Sequence, residues 1–442
     1  MIKLNPILMN KTLLLLICTF GFKMPLLAQA LYFPPLTGSN WESISPATLN
    51  WDTQALNSLD SFLNATQSKA AIILKDGKIV FEKYYGTFTK DSNWYWASAG
   101  KSLSSVLVGI AQQNGFLSIQ DTSQKYLGKG FTSMSNNQEQ KIKIIHQLSM
   151  SSGLDDGVVD KDCTDPACLK YKAEPGSRWA YHNAPYTILD EVISTSTGFT
   201  MNEFALSQIK SKTGMDGIYF KAPGTYNNIF YSKARSMARF GLLMLNKGYW
   251  NTTPVLSDTA YFRAMTNSSQ EINPSYGYLW WLNGKSKFMA PGLQVIFNGP
   301  LFPNAPMDMF SALGKNGQSI HIVPSMNLVF VRIGNAPNDY GDVAITYGDD
   351  TWKYLKRVFP TTAIQELSNN RLNVFPNPFT NELFIEDLKG EQLSWELMNA
   401  LGQSILTGTD KHINHLSLNP GIYYLRITQN KETVLKKLIK VE

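Results

Sequence analysis

The chain is 442 residues long, 43% hydrophobic and 17% charged, with a formal net charge of +6. That length exceeds one average domain and allows a large core with an appendage. The charge is spread without long basic blocks, which argues against nucleic acid as a partner, and aromatics at 12% suit core packing as well as carbohydrate or peptide surfaces.

The first thirty residues read as an export signal. Lys3 and Lys11 precede the apolar run "TLLLLICTFGF", and Ala28-Gln29-Ala30 offers small residues for cleavage. The run is too short for a bilayer, and no later stretch spans one, so the mature chain is expected to be exported and soluble. Ile17 before Cys18 makes a poor lipid-attachment site, and no lipid anchor is expected.

Residues 31–360 read as one domain. "DTQALNSLDSFLN" starts with an Asp cap and carries Leu56, Leu59 and Leu63 at helical spacing. "AAIILKDGKIVFEKYYG" predicts two strands around the Asp76-Gly77 turn. A helix follows Ser98, with Leu103, Val106, Leu107 and Ile110 on one stripe and Asn114-Gly115 as its stop. Ser98 and Lys101 stand one turn apart at its start. Cys163 and Cys168 remain after signal removal, with no neighbouring ligand residues, and predict a small loop-closing disulfide in an oxidising compartment.

The middle, to about residue 290, is mostly helical and loop-rich. "EPGSRWAYHNAPYTIL" carries Tyr181-His182-Asn183 on a loop leading into a helix, and "YSKARSMARFGLLMLNKG" is an amphipathic helix ending at Gly248. Strands return with "MFSALG", "QSIHIV" and "NLVFVRIG", and the helix "DDTWKYLKRVF" closes the unit. Strands at both ends with helices between predict an α+β domain: an antiparallel sheet flanked by helices, with a second, helical lobe and a cleft between. "TTAIQELSNNR", residues 361–371, reads as a linker. Residues 372–442 are short strands separated by Pro, Gly and Asn turns, an all-β sandwich.

Ser-x-x-Lys alone is weak, since about two matches arise by chance in such a chain. Two occur, Ser98-Lys101 and Ser207-Lys210, and a helix cap beside a solvated lysine is the bland reading of either. A literal "KTG" at Lys212 to Gly214 lies on a helical stretch and reads as a helix end. What distinguishes Ser98 is company in the right order: Tyr181-x-Asn183 downstream, then Lys315-Asn316-Gly317 at the entrance of a strand. On these motifs residues 50–358 resemble the serine β-lactamase and penicillin-binding-protein superfamily, on its class C, esterase and DD-peptidase side. "IIHQLSMSSGLDD", "MARFGLLMLNKG" and "YGYLWW" add to the likeness. Asn316 departs from the Thr that many relatives carry.

The resemblance implies a serine hydrolase working through a Ser98 acyl-enzyme. Tyr181 would be the general base with Lys101 its partner, and Lys101 as base is the alternative; ammonium groups at Lys101 and Lys315 would lower the phenol. Asn183 would bond Lys101 and the substrate. The N–H groups of Ser98 and Gln318 would form the oxyanion hole, with Asn316 and Gly317 beside the substrate and Gly317 keeping the strand uncrowded. His146, His182 and His321 read as structural, with His182 the best outsider. No Gly-x-Ser-x-Gly, His-Glu-x-x-His or EF-hand loop occurs, so no metal or cofactor is expected.

The tail, with "VFPNPFTNELFIE", "ELMNALGQSIL", "LNPGIYYLRI" and "KKLIKV", resembles the C-terminal sorting domain of type IX secretion. That implies the type IX machinery as partner and passage through the periplasm to the cell surface or beyond. The expected activity is cleavage of an ester or amide in a small ester, a D-amino-acid peptide or a β-lactam, with esterase or peptidase ahead of a resistance β-lactamase. The competing readings are an inactive relative that binds wall peptides or glycans, and an adhesin whose tail is the working part.

Overall fold

The computed structural model describes residues 31–337, 345–360, 372–387, 392–399, 403–414, 416–429 and 432–442. The expected signal (1–30) and linker (361–371) lie outside the described residues.

Local signals nucleate the first elements. Asp52 Oδ1 accepts from the backbone N–H groups of Gln54 and Ala55 at 2.8 and 2.9 Å and caps the helix Thr53–Ala65. Asp76 and Gly77 take positive φ values of 51° and 83°, closing a tight hairpin between the strands Ser68–Lys75 and Lys78–Tyr84. These strands join others from the far end of the domain. The spatial order is Lys78–Tyr84, Ser68–Lys75, Leu328–Gly334, Gln318–Val323, Phe310–Gly314, Trp281–Leu282, and every pairing is antiparallel.

Both faces of this sheet are covered, which is why its central strands are buried along their whole length. Ile320 and Val329 meet the helix Ala234–Leu245 at Gly241, where an added Cβ would lie 2.5 Å from Val329. On the opposite face His321, stacked on Phe330, meets Trp352 of the helix Ile345–Val358 edge-on. That helix begins well before the "DDTWKYL" stretch, and Tyr347 and Tyr354 stack on Phe62 of Thr53–Ala65.

The helix Gly100–Gln113 is buried from Gly100 through Ala111. Its buried polar residues need partners in the core, and it is held there by Ser102 Oγ donating to Leu279 O at 2.7 Å and Tyr261 Oη donating to Ser105 O at 2.8 Å. The middle of the domain also contains a small sheet, Trp94–Tyr95, Asn228–Ser232 and Ile218–Lys221, against which the start of this helix is built.

The C-terminal segment forms a three-stranded and a four-stranded antiparallel sheet. Phe379, Leu383, Leu397, Leu425 and Leu438 build a core of its own.

Candidate active site

The turn that carries Ser98, Ala97–Ala99, immediately precedes the buried helix. Trp96 anchors it: its backbone N–H donates to Phe230 O at 2.8 Å and its indole Nε1 donates to Ser232 Oγ at 2.7 Å. Ala97 is then forced to φ 49°, a left-handed conformation that costs a non-glycine residue about 1–3 kcal/mol. The result is a sharp presentation of Ser98, half-buried beside a fully packed helix.

Lys101 is 4% exposed, and its Nζ donates to Ser98 Oγ at 2.9 Å. The ammonium position lies 5.3 Å from the Tyr181 ring centroid and 4.4 Å from that of Tyr186. Burial disfavours the charged form and brings the lysine down to about 7, with the charge of Asp162 opposing. Tyr181 stacks on Trp281 at 5.7 Å and is pushed up to about 12 by loss of water, an effect that Ser98 opposes. Ser98, Lys101 and Tyr181, drawn from two segments some eighty residues apart, thus meet at one point.

The electrostatics differ from the expectation of a phenol lowered by two ammonium groups. Desolvation acts on both partners, raising the phenol and lowering the amine. Lys315 does not offset this. It stands exposed at the turn Lys315–Gly317, after the strand has ended at Gly314.

The rest of that third motif is placed differently from its expected role. Asn316 and Gly317 take φ of 64° and 73° and close the hairpin. Asn316 Nδ2 donates to Tyr95 Oη at 2.6 Å, and its carbonyl accepts from the buried Arg332. A Cβ on Gly317 would meet Arg332 and Tyr347, whereas one on Gly314 would lie 2.4 Å from Trp96 O and 3.0 Å from Ala99 N. Gly314 is therefore the strand residue that the Ala97–Ala99 turn crosses. Gln318 is sealed in the sheet, its Oε1 accepting from Gly334 N at 2.9 Å and its Nε2 donating to Gly334 O at 2.7 Å. A signal for this existed: Asn-Gly between two apolar runs is a hairpin signature, and it puts Lys315 in the turn.

Asn183 opens the helix Asn183–Thr187, where its Nδ2 donates to Asp162 Oδ1 at 2.7 Å and its Oδ1 is buried without a partner. His182 is buried with neither ring nitrogen bonded, and burial pulls it down to about 4. His321 bonds Ser311 and His146 accepts from Lys143 N, so both serve the packing. The structure joins Cys163 and Cys168, which closes a small loop directly after Asp162. Asp162, Tyr186 and Gly314 were missed from sequence. Of the three, only Gly314 carried a usable sign, as a glycine ending an apolar strand. Among the described residues no cluster of potential metal ligands is found.

With this geometry in view, the comparisons with known proteins are decisive for the main domain. A family model described as Beta-lactamase matches residues 63–350. The chain belongs to the β-lactamase family. Members of this family are serine hydrolases, and three solved structures share the fold. A protein of Bacillus anthracis provisionally named 6-aminohexanoate-dimer hydrolase superposes with a TM-score of 0.57 at 18% identity, over 74% of this chain and 90% of its own. A β-lactamase-like protein from Bacteroides dorei gives 0.55 at 18%, over 70% and 99%, and a penicillin-binding-protein homologue from Caulobacter crescentus gives 0.53 at 14%, over 72% and 98%. An uncharacterized protein of Alkalihalophilus pseudofirmus is 25% identical over 306 residues, 60% of this chain and 83% of its own. Residues 373–441 match the secretion system C-terminal sorting domain, which marks this β-lactamase-family chain for type IX secretion to the cell surface or beyond. No helix of the described residues is long and apolar enough to cross a membrane.

Proposed function

We propose that this protein is an exported serine hydrolase that cleaves an ester or amide through an acyl-enzyme on Ser98. The observation that carries the reading is a desolvated lysine amine 2.9 Å from a serine hydroxyl at a strained turn. A serine hydroxyl is a weak nucleophile until a base takes its proton. A lysine brought down to about 7 is half neutral near that pH, close to the ideal for general-base work. Lys101 takes the Ser98 proton as Oγ bonds to the carbonyl carbon. Tyr181, a neutral phenol, passes its proton to the leaving group and is reprotonated from Lys101. Water then cleaves the acyl-enzyme by the reverse relay, returning the proton to Ser98 Oγ. The Ser98 N–H at the turn is one oxyanion donor. The second donor belongs to the strand ending at Gly314, which crosses the turn.

The substrate class is a small ester, a D-amino-acid peptide or a β-lactam. The position of Lys315, beyond the strand end, supports the first two over a resistance β-lactamase. Labelling with a fluorophosphonate and a reporter penicillin, followed by nitrocefin, short-chain esters and D-alanyl peptides, tests this. Stoichiometric labelling lost in Ser98→Ala is expected; a wild type that neither probe labels and that leaves activated esters intact would point instead to an inactive wall-binding relative. Deleting residues 372–442 is expected to trap the enzyme in the periplasm, and unchanged surface display would reject the sorting role.

A further inference from the structure

The loop 160–168 is held to the start of the helix Asn183–Thr187, to Tyr226 and within itself. Ala184 N donates to Lys161 O at 3.0 Å, Asp162 N donates to Asp160 Oδ1 at 2.9 Å, and Tyr226 Oη donates to Asp165 Oδ2 at 2.6 Å. The Cys163–Cys168 disulfide begins one residue after Asp162, and Cys163 is buried. All this anchoring fixes the carboxylate that receives Asn183 Nδ2 at 2.7 Å.

We infer that Asp162 is a positioning residue for the Ser98–Lys101 centre: its carboxylate, held by the anchored loop, fixes the orientation of Asn183. A carboxylate accepts and cannot donate, so Asn183 must turn Nδ2 toward Asp162. That leaves Oδ1, buried and without a partner, as an acceptor for the Lys101 ammonium formed during the reaction or for an N–H of the substrate. The carboxylate's charge favours the protonated amine.

The groups facing Lys101 are Ser98 on its own turn, the rings of Tyr181 and Tyr186, and Asp162 through its charge. Asp190 stands one step further out, acting on Tyr186, and His182 feels Asp155, Asp156, Lys161 and Asp162. Asp162 is the carboxylate of this set that acts on the lysine.

This inference deepens the hydrolase reading, and its test separates the two. The Lys101 side-chain signal, assigned by its loss in Lys101→Arg, is titrated by NMR in 13C-lysine-labelled full-length protein. Asp162→Asn keeps an acceptor for Asn183 and removes only the charge. Its Lys101 midpoint is expected at least about half a pH unit below wild type, because removing a nearby carboxylate makes the ammonium lose its proton earlier. The Lys101-dependent limb of the fluorophosphonate labelling rate is expected to move in the same direction. Asp162→Ala, which removes charge and acceptor, is expected to label more slowly than Asp162→Asn at every pH. An unmoved Lys101 midpoint in an Asp162→Asn protein that melts like wild type overturns the inference. A moved midpoint in a chain that no probe labels would sink the hydrolase reading and leave Asp162 standing as the group that tunes a buried lysine.

Discussion

The same four-residue pattern occurs twice in this chain with opposite outcomes. At Ser98-Lys101 the lysine is buried and reaches back to the serine at 2.9 Å. At Ser207-Lys210 the serine is exposed and donates to Phe204 O at 3.1 Å, while Lys210 Nζ turns away and donates to Gly217 O at 2.6 Å. Burial lowers Lys210 as well, but Asp216 opposes it and the carbonyl occupies the amine. Helical spacing brings a serine and a lysine to one face. What separates the two sites is what covers that face: for the first, the rings of Tyr181 and Tyr186 and a helix packed on all sides; for the second, the Gly217 carbonyl over a half-buried lysine, beside an exposed serine.

The contrast is sharpest for the serines. Ser98→Ala is expected to abolish covalent labelling, and Ser207→Ala to leave it unchanged. Labelling that moves to Ser207, read by mass spectrometry of the adduct, would break the comparison. Next in size are the lysines. Lys101→Met is expected to slow acylation by about 10²–10⁴-fold, the usual worth of a general base. In wild type the acylation rate should rise through about pH 7 as the amine becomes neutral. A flat profile between pH 5 and 9 would contradict the lysine as base.

A smaller effect of opposite sign is expected on stability. In the unfolded chain Lys101 keeps its proton to about 10.5, and in the folded protein it gives it up near 7. Between those values the unfolded state binds more protons, so wild-type stability rises with pH across that window. Lys101→Met should therefore melt higher than wild type near pH 7, with the gap closing toward about pH 10.5. An equal melting temperature at both ends would show that the burial of Lys101 is free of cost. The smallest effect belongs to Lys210→Met, where acylation should stay within about twofold of wild type because a half-exposed side chain away from the centre is being changed.

Legibility from sequence varied from residue to residue. The Asp52 cap, the Asp76-Gly77 turn and the "QSIHIV" and "NLVFVRIG" strands were plain because each rests on neighbours within a few positions. Ser98, Lys101 and Tyr181 were legible as types in order. The third motif was misplaced by three residues: Lys315-Asn316-Gly317 became a turn, and Gly314 took the position against the Ala97–Ala99 turn. Asp162 was invisible, since its contact with Asn183 crosses 21 residues of loop with no periodicity to read.

By itself the sequence determined the elements, their order, the sorting tail and the chemical types of the central three residues. Those depend on local propensity, turn chemistry and motif order. Only the tertiary structure decided that Lys101 is fully buried against Ser98 while Lys210 is half-buried against the Gly217 carbonyl, that the phenol is raised instead of lowered, and that Gly314 borders the turn that carries Ser98. Each of these depends on desolvation and close approach between distant segments, which arise only when the chain has packed.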